Sequence, residues 1–133
     1  MTYTLDTNAV IKLLRNDAAV KSHFDRAVNN GDGISIPAIV DYETLRGFLC
    51  YPAPAKERLY NSLCDRYPVE DMSADVWGRA ARIYAELYRK HLTVNDADIL
   101  IAALCIVNGY TLVTSNKKDF ENIDGLKLVD WAK

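Results

Sequence analysis

Cysteine is scarce and unpaired in this chain: three thiols, Cys50, Cys64 and Cys105, an odd number with no CxxC spacing. That excludes a disulfide framework and fits reduced, mostly buried thiols in a cytoplasmic protein. Histidine is rarer still. The two present, His23 and His91, stand apart and leave zinc no ligand pattern. With four prolines and six glycines in 133 residues there is no repeat, no low-complexity tract and no linker at which to divide the chain. The length suits one domain, 1–133, around one sizeable core. Long hydrophobic runs are missing as well. The opening "MTYTLDTNAVIKLL" has no basic region, and Asp6, Asn8 and Lys12 interrupt its apolar residues, so it reads as neither a signal peptide nor a membrane span. Excess positive charge is the last absence: the net charge is −2 and the pI about 5.6. That is a poor footprint for binding nucleic acid by bulk charge, so any such binding needs a local basic rim or bound cations.

What is present is ordinary globular patterning, with half the residues hydrophobic and 26% charged. "YTL" (3–5) is strand-like and ends at Asp6; Asn8 then fits an N-cap for a helix bearing Ala9, Val10, Leu13 and Leu14 on one face. A helix over about 17–29 carries Val20, Phe24, Ala27 and Val28, and stops at the turn residues "NNGDG". "ISI" (34–36) is the next strand, followed by a helix from Pro37 to about Phe48 and another over about 55–66. Ser73 caps a long helix whose stripe is Val76, Ala80, Ile83 and Leu87. A helix from about Asn95 ends at Gly109, and "TLVT" (111–114) and "LKLV" (126–129) are the closing strands. Strands alternating with helices imply an α/β sandwich on a mainly parallel sheet.

In such sheets chemistry gathers where strands end and helices begin. Asp6 directly follows the first strand, Asp98 opens a helix, Asp119 follows the strand "TLVT" by five residues, and Glu43 lies in the helix after the second strand. Each acid alone has a plain explanation as a turn former, a cap or a partner of the helix dipole, worth about 0.3–1 kcal/mol. Four at corresponding topological positions are harder to explain that way. Clustered carboxylates repel and raise one another's pKa unless a cation neutralises them, and such hard oxygen ligands suit Mg²⁺ or Mn²⁺. The paired carboxylates of "VNDADILIAALCIV" (94–107), Asp96 and Asp98, open a run that should be well buried, and a helix start explains part of their presence.

"LDTN" (5–8), "ETLRG" (43–47), "DILIAA" (98–103) and "LVTSNKKDF" (112–120) resemble the successive motifs of the PIN domain. More closely, they resemble the VapC ribonuclease toxins of bacterial toxin–antitoxin pairs. The likeness runs from Leu5 to Trp131. Each motif is short, but four in order at fitting separations are specific. The resemblance implies a three-layer α/β/α sandwich, a magnesium site built from acids, and cleavage of RNA, with structured targets such as tRNA expected. It implies a homodimer and inhibition by a cognate VapB-like antitoxin. Helices near 38–66, with Phe48, Leu49 and Tyr60, are a candidate dimer face, or else pack internally.

Carried over by motif, the metal and catalytic set is Asp6, Glu43 and Asp98, with Asp119 as the remaining acid; the family spacing to Ile101-Ala102-Ala103 gives Asp98 to the metal and leaves Asp96 to cap or assist. The chain departs from the family at Thr114-Ser115-Asn116, where Asn116 stands in place of a frequent aspartate; a second metal would then bind weakly or only with substrate. Thr7, Asn8, Asp96, Thr114 and Asn116 are candidate supports for carboxylates, waters or phosphate. Arg46, Lys117 and Lys118 adjoin the motifs and are candidate phosphate contacts, with Lys12, Arg15, Arg89 and Lys90 behind them; most surface lysines only solvate. Two other classes compete. One is a non-catalytic PIN-like module that binds RNA or protein. The other is different phosphoryl chemistry: haloacid-dehalogenase-like phosphatases need a second Asp where Asn8 stands, and a receiver domain needs an Asp–Lys set that is not evident.

Overall fold

The computed structural model describes residues 1–133. β1 (Thr2–Leu5) runs into α1 (Thr7–Leu14), then α2 (Ala18–Asn29), β2 (Gly33–Pro37), α3 (Ala38–Cys50) and α4 (Pro54–Arg66). β3 (Val69–Glu70), α5 (Ala74–Arg89), α6 (Asp96–Asn108), β4 (Thr111–Val113), a 3-10 turn (Lys117–Asp119) and β5 (Lys127–Val129) complete the chain.

Local chemistry sets the helix ends. The sequence points to Asn8 as the first cap, but the structure places the cap at Asp6, whose Oδ1 accepts the Ala9 N–H at 2.7 Å. Asp6 keeps extended backbone (φ −76°, ψ 172°), so the helix starts straight off the strand with no intervening turn. Asp17 and Ser73 cap α2 and α5 in the same way. Asn95 caps α6, and Gly109 closes it at φ 71°, a left-handed conformation that glycine adopts without Cβ strain.

The five strands pair in the order β3-β2-β1-β4-β5, and every pairing is parallel. Tyr3 stands between Ile34 and Thr111, and Thr4 between Ser35 and Leu112. The central strands are therefore covered on both faces, and Leu5, Ile36 and Leu112 are almost wholly buried. β3 has no counterpart in the sequence reading: it is a two-residue edge strand, too short for any alternation to show. α6 buries Ile99 and the run Ile101–Cys105 and packs against α5, which offers Val76, Ala80, Ile83 and Leu87. Each buried Val, Leu or Ile among them contributes about 1.5–3 kcal/mol through burial. α1 packs against α2, α3 and α4. The architecture is the expected α/β/α sandwich.

Strand order also fixes where a site can form. From β1 the chain steps outward through β2 to β3, then returns to the other side of β1 for β4 and β5. The direction of winding switches between β1 and β4. In open parallel sheets the loops leaving the carboxyl ends part at such a point, and a crevice for ligand is expected there.

Candidate active site

Asp6 stands at that crevice. Its backbone N–H donates to Val113 O (3.3 Å), which ties the end of β1 to the end of β4. Its carboxyl group is only 7% exposed, so three groups hold it: the Ala9 N–H, the Thr114 side chain and the charge of Lys12. The Thr114 hydroxyl accepts the Asn116 N–H at 3.0 Å, which leaves its proton for Asp6. Burial nevertheless wins. The Asp6 carboxyl is raised above its ordinary value, first by loss of water and further by the charge of Glu43.

Glu43 reaches the same place from α3. The Thr7 hydroxyl, in the first turn of α1, donates to Glu43 Oε1 at 2.7 Å across 36 residues of sequence. On the outer side Arg46 Nη2 lies 3.5 Å from Glu43 Oε2, and the Arg46 guanidinium covers the Tyr42 ring at 5.1 Å. Asp98, in the opening turn of α6, is half-buried. Burial raises its carboxyl most, hydrogen bonding from Asn95 lowers it, and the charges of Asp119, Asp6 and Glu43 raise it again. The charges of the other three acids singled out in the sequence therefore all act on Asp98. Asp119 sits at the end of the 3-10 turn, and Asn116 Nδ2 donates to its Oδ2. The neutral residue at the departing position is thus occupied in holding the nearby acid.

Each acid carries a neutral donor: Thr114 for Asp6, Thr7 for Glu43, Asn95 for Asp98 and Asn116 for Asp119. No three acid, histidine or cysteine side chains converge closely enough to enclose an ion by themselves. That geometry excludes an all-protein cage but fits Mg²⁺, which keeps several waters and is held through one or two carboxylates together with substrate phosphates. The hard oxygen donors and their mutual repulsion match such a cation.

The remaining candidates divide. Lys12 projects to the same rim, 3.5 Å from Ser115 Oγ, and acts on Asp6, a more central place than the sequence suggested. Lys117 and Lys118 are exposed on the 3-10 turn. Asp96 is exposed at the first position of α6 and caps nothing; that role belongs to Asn95. Asn8 is exposed in α1 and makes no hydrogen bond through its side chain. Asn95 is the residue that sequence reasoning passed over as a partner of the site, although its three-residue offset from Asp98 is the spacing of a capping box. Of the candidate dimer face, Tyr60 is buried and donates to Asp41 at 2.6 Å, Phe48 is half-buried against it, and Leu49 alone stands out, 83% exposed.

Fold and site together define an α/β/α domain with an acidic centre at the switch point of a parallel sheet. The PIN-domain family model matches residues 3–126. Ribonuclease VapC2 of Rickettsia felis is 32% identical, with 100% of both chains covered. The tRNA(fMet)-specific endonuclease VapC of Shigella flexneri is 29% identical over 98% of each chain. Among solved structures, the VapBC2 complex of R. felis, bound to a DNA fragment from its promoter, superposes with a TM-score of 0.90 at 27% identity, covering 98% of this chain and 99% of that one. The chain belongs to the PIN-domain family, in its VapC group.

Proposed function

We propose that this chain is a Mg²⁺-dependent endoribonuclease, the toxin of a VapBC-type pair, acting on structured RNA such as tRNA and held in check by a cognate VapB-like antitoxin. The observation that carries the reading is the electrostatic coupling of the four acids: burial raises Asp6 and Asp98, the charges of Asp119, Asp6 and Glu43 raise Asp98 further, and that of Glu43 raises Asp6. Carboxyl groups held at such a cost to the folded chain mark a functional site. The names of the Shigella and Rickettsia relatives support ribonuclease chemistry, and the VapBC complex supports a protein partner. Family membership supports a homodimer.

Asp6 and Asp98 would hold the divalent ion, with Glu43 and Asp119 assisting directly or through water. When bound, the ion lowers the pKa of a coordinated water and offsets charge on the phosphodiester. The protein supplies the rest. Thr7 fixes one oxygen of Glu43, and the other faces the Arg46 guanidinium. Thr114 and the Ala9 N–H keep the Asp6 carboxylate oriented. No side-chain nucleophile is required. Arg46, Lys12, Lys117 and Lys118 border the crevice and offer charge to flanking phosphates, which relieves the repulsion of an acidic site for RNA.

A second reading, a non-catalytic module that binds RNA or protein, draws on the neutral Asn116 and on the lack of a ready-made three-ligand cage. Incubation with total RNA separates the two. Wild-type protein with Mg²⁺ yields discrete fragments, while EDTA or Asp98→Asn abolishes them. Cleavage that persists in EDTA, or undiminished turnover by Asp98→Asn at saturating metal, refutes the proposal; binding without fragments establishes the second reading.

A further inference from the structure

Asn95 makes two hydrogen bonds to a single residue. Its Oδ1 accepts the Asp98 backbone N–H at 2.9 Å, which caps α6. Its Nδ2 donates to Asp98 Oδ2, also at 2.9 Å. The first bond needs only an oxygen, which Ser, Thr or Asp supply as well as Asn. The second needs a donor on the same side chain: Asp has none, Ser and Thr must use one short hydroxyl for both bonds, and only Asn reaches out with a separate nitrogen beside its oxygen. Capping accounts for half of what this residue does.

The other half bears on the site. Asp98 is the one acid of the four that stands on the first turn of a helix with its carboxyl group half open to solvent. Asp6 is locked by burial and two donors, and Glu43 by Thr7. Beyond the amide of Asn95, no side chain hydrogen-bonds the Asp98 carboxylate, and the charges around it are repulsive. Released from that amide, it would swing toward water and away from Asp6 and Glu43. Groups that orient a metal-binding carboxylate govern affinity almost as the ligands do.

We propose that Asn95 is a positioning residue: its amide nitrogen pins the Asp98 carboxylate toward Asp6 and Glu43, so that the acids meet a divalent ion in a prearranged geometry. This rests on the nuclease reading, since it assigns Asp98 to the ion. Full-length protein is titrated with Mn²⁺ alone by calorimetry, without RNA, alongside its metal-free melting temperature, for wild type, Asn95→Ser and Asn95→Ala. Asn95→Ser keeps a capping oxygen and loses the amide nitrogen. It is expected to melt with the wild type and to bind Mn²⁺ roughly 10–100-fold more weakly. Asn95→Ala loses both bonds and shows the weaker binding together with a lower melting temperature. In cleavage assays Asn95→Ser needs more Mg²⁺ for half-maximal rate and recovers at high Mg²⁺. Wild-type affinity in Asn95→Ser overturns the proposal and reduces Asn95 to a cap, with the nuclease reading intact. No Mn²⁺ binding by the wild type itself removes the nuclease reading and this proposal with it.

Discussion

Replacing Asp6 by Asn and by Ala separates two duties that one carboxyl group performs. The side chain caps α1 through the Ala9 N–H and also carries a charge in a setting that burial and Glu43 make unfavourable. Asn caps as well as Asp, while Ala does not cap, and the loss of a cap costs about 0.5–2 kcal/mol. For a chain of this length 1 kcal/mol moves the melting temperature by about 3–5 °C, so Asp6→Ala should melt roughly 2–8 °C below Asp6→Asn. Both variants are neutral at residue 6, so their difference reads the hydrogen bonds of the side chain, the cap first and Thr114 with it, apart from the charge. Against wild type without metal, Asp6→Asn should melt at the same temperature or higher.

The sign of the pH dependence follows from the raised carboxyl. As pH climbs, the unfolded chain loses the Asp6 proton near the ordinary value of 3.8, before the folded chain does. Ionisation therefore favours the unfolded state between 3.8 and the raised folded value, and the penalty is constant above it. The advantage of Asp6→Asn over wild type should be small at the acidic end of that window, grow as pH rises through it, and level off at neutrality. Divalent ion should reverse the order, because only wild type gains from binding it. Differential scanning fluorimetry from pH 4 to 8, with EDTA or Mn²⁺, reads all of this. A metal-free Asp6→Asn that melts well below wild type at neutral pH would refute the reasoning and make the carboxylate a structural anchor.

Three other outcomes test other parts of the account. Tyr60→Phe removes the donor to Asp41 and should lower stability by about 1 kcal/mol in urea titrations; an unchanged midpoint contradicts the placement of that bond. Gly109→Ala forces a Cβ into the left-handed conformation that ends α6 and should cost about 1–2 kcal/mol, read by the same titration; no loss means α6 ends differently. If Lys117 and Lys118 meet RNA phosphates, converting both to Ala should flatten the slope of log affinity against log salt by about 0.7 per contact, measured with a catalytically inert variant. An unaltered slope leaves them as solvating residues.

The alternation of strand and helix was legible because Leu5, Ile36, Leu112 and the stripe of α5 bury in the periods that their spacing demands. The candidate acids stood out in the sequence because they recur after strands and at helix starts, and a parallel sheet brings those ends to one edge. What sequence could not supply was which of two adjacent polar residues takes which task. Asp6, Asn8, Asn95 and Asp96 are all competent caps, and only the direction of the backbone leaving β1, or entering α6, selects Asp6 and Asn95. The Thr7–Glu43 bond spans 36 residues and depends on how α1 meets α3, which no local pattern encodes. Tyr60 illustrates the opposite difficulty. An aromatic residue in a polar helix reads equally as interface or as core, and here the reach of its hydroxyl to Asp41 decides for the core.

Crystals of the protein soaked in Mn²⁺, with the anomalous signal of the ion collected, put the whole interpretation to its sharpest trial. The expected result is a peak at the β1/β4 crevice, about 2.0–2.3 Å from carboxylate oxygens of Asp6 and Asp98, with waters completing the shell. An empty crevice at saturating Mn²⁺, or a peak bound elsewhere, would contradict it.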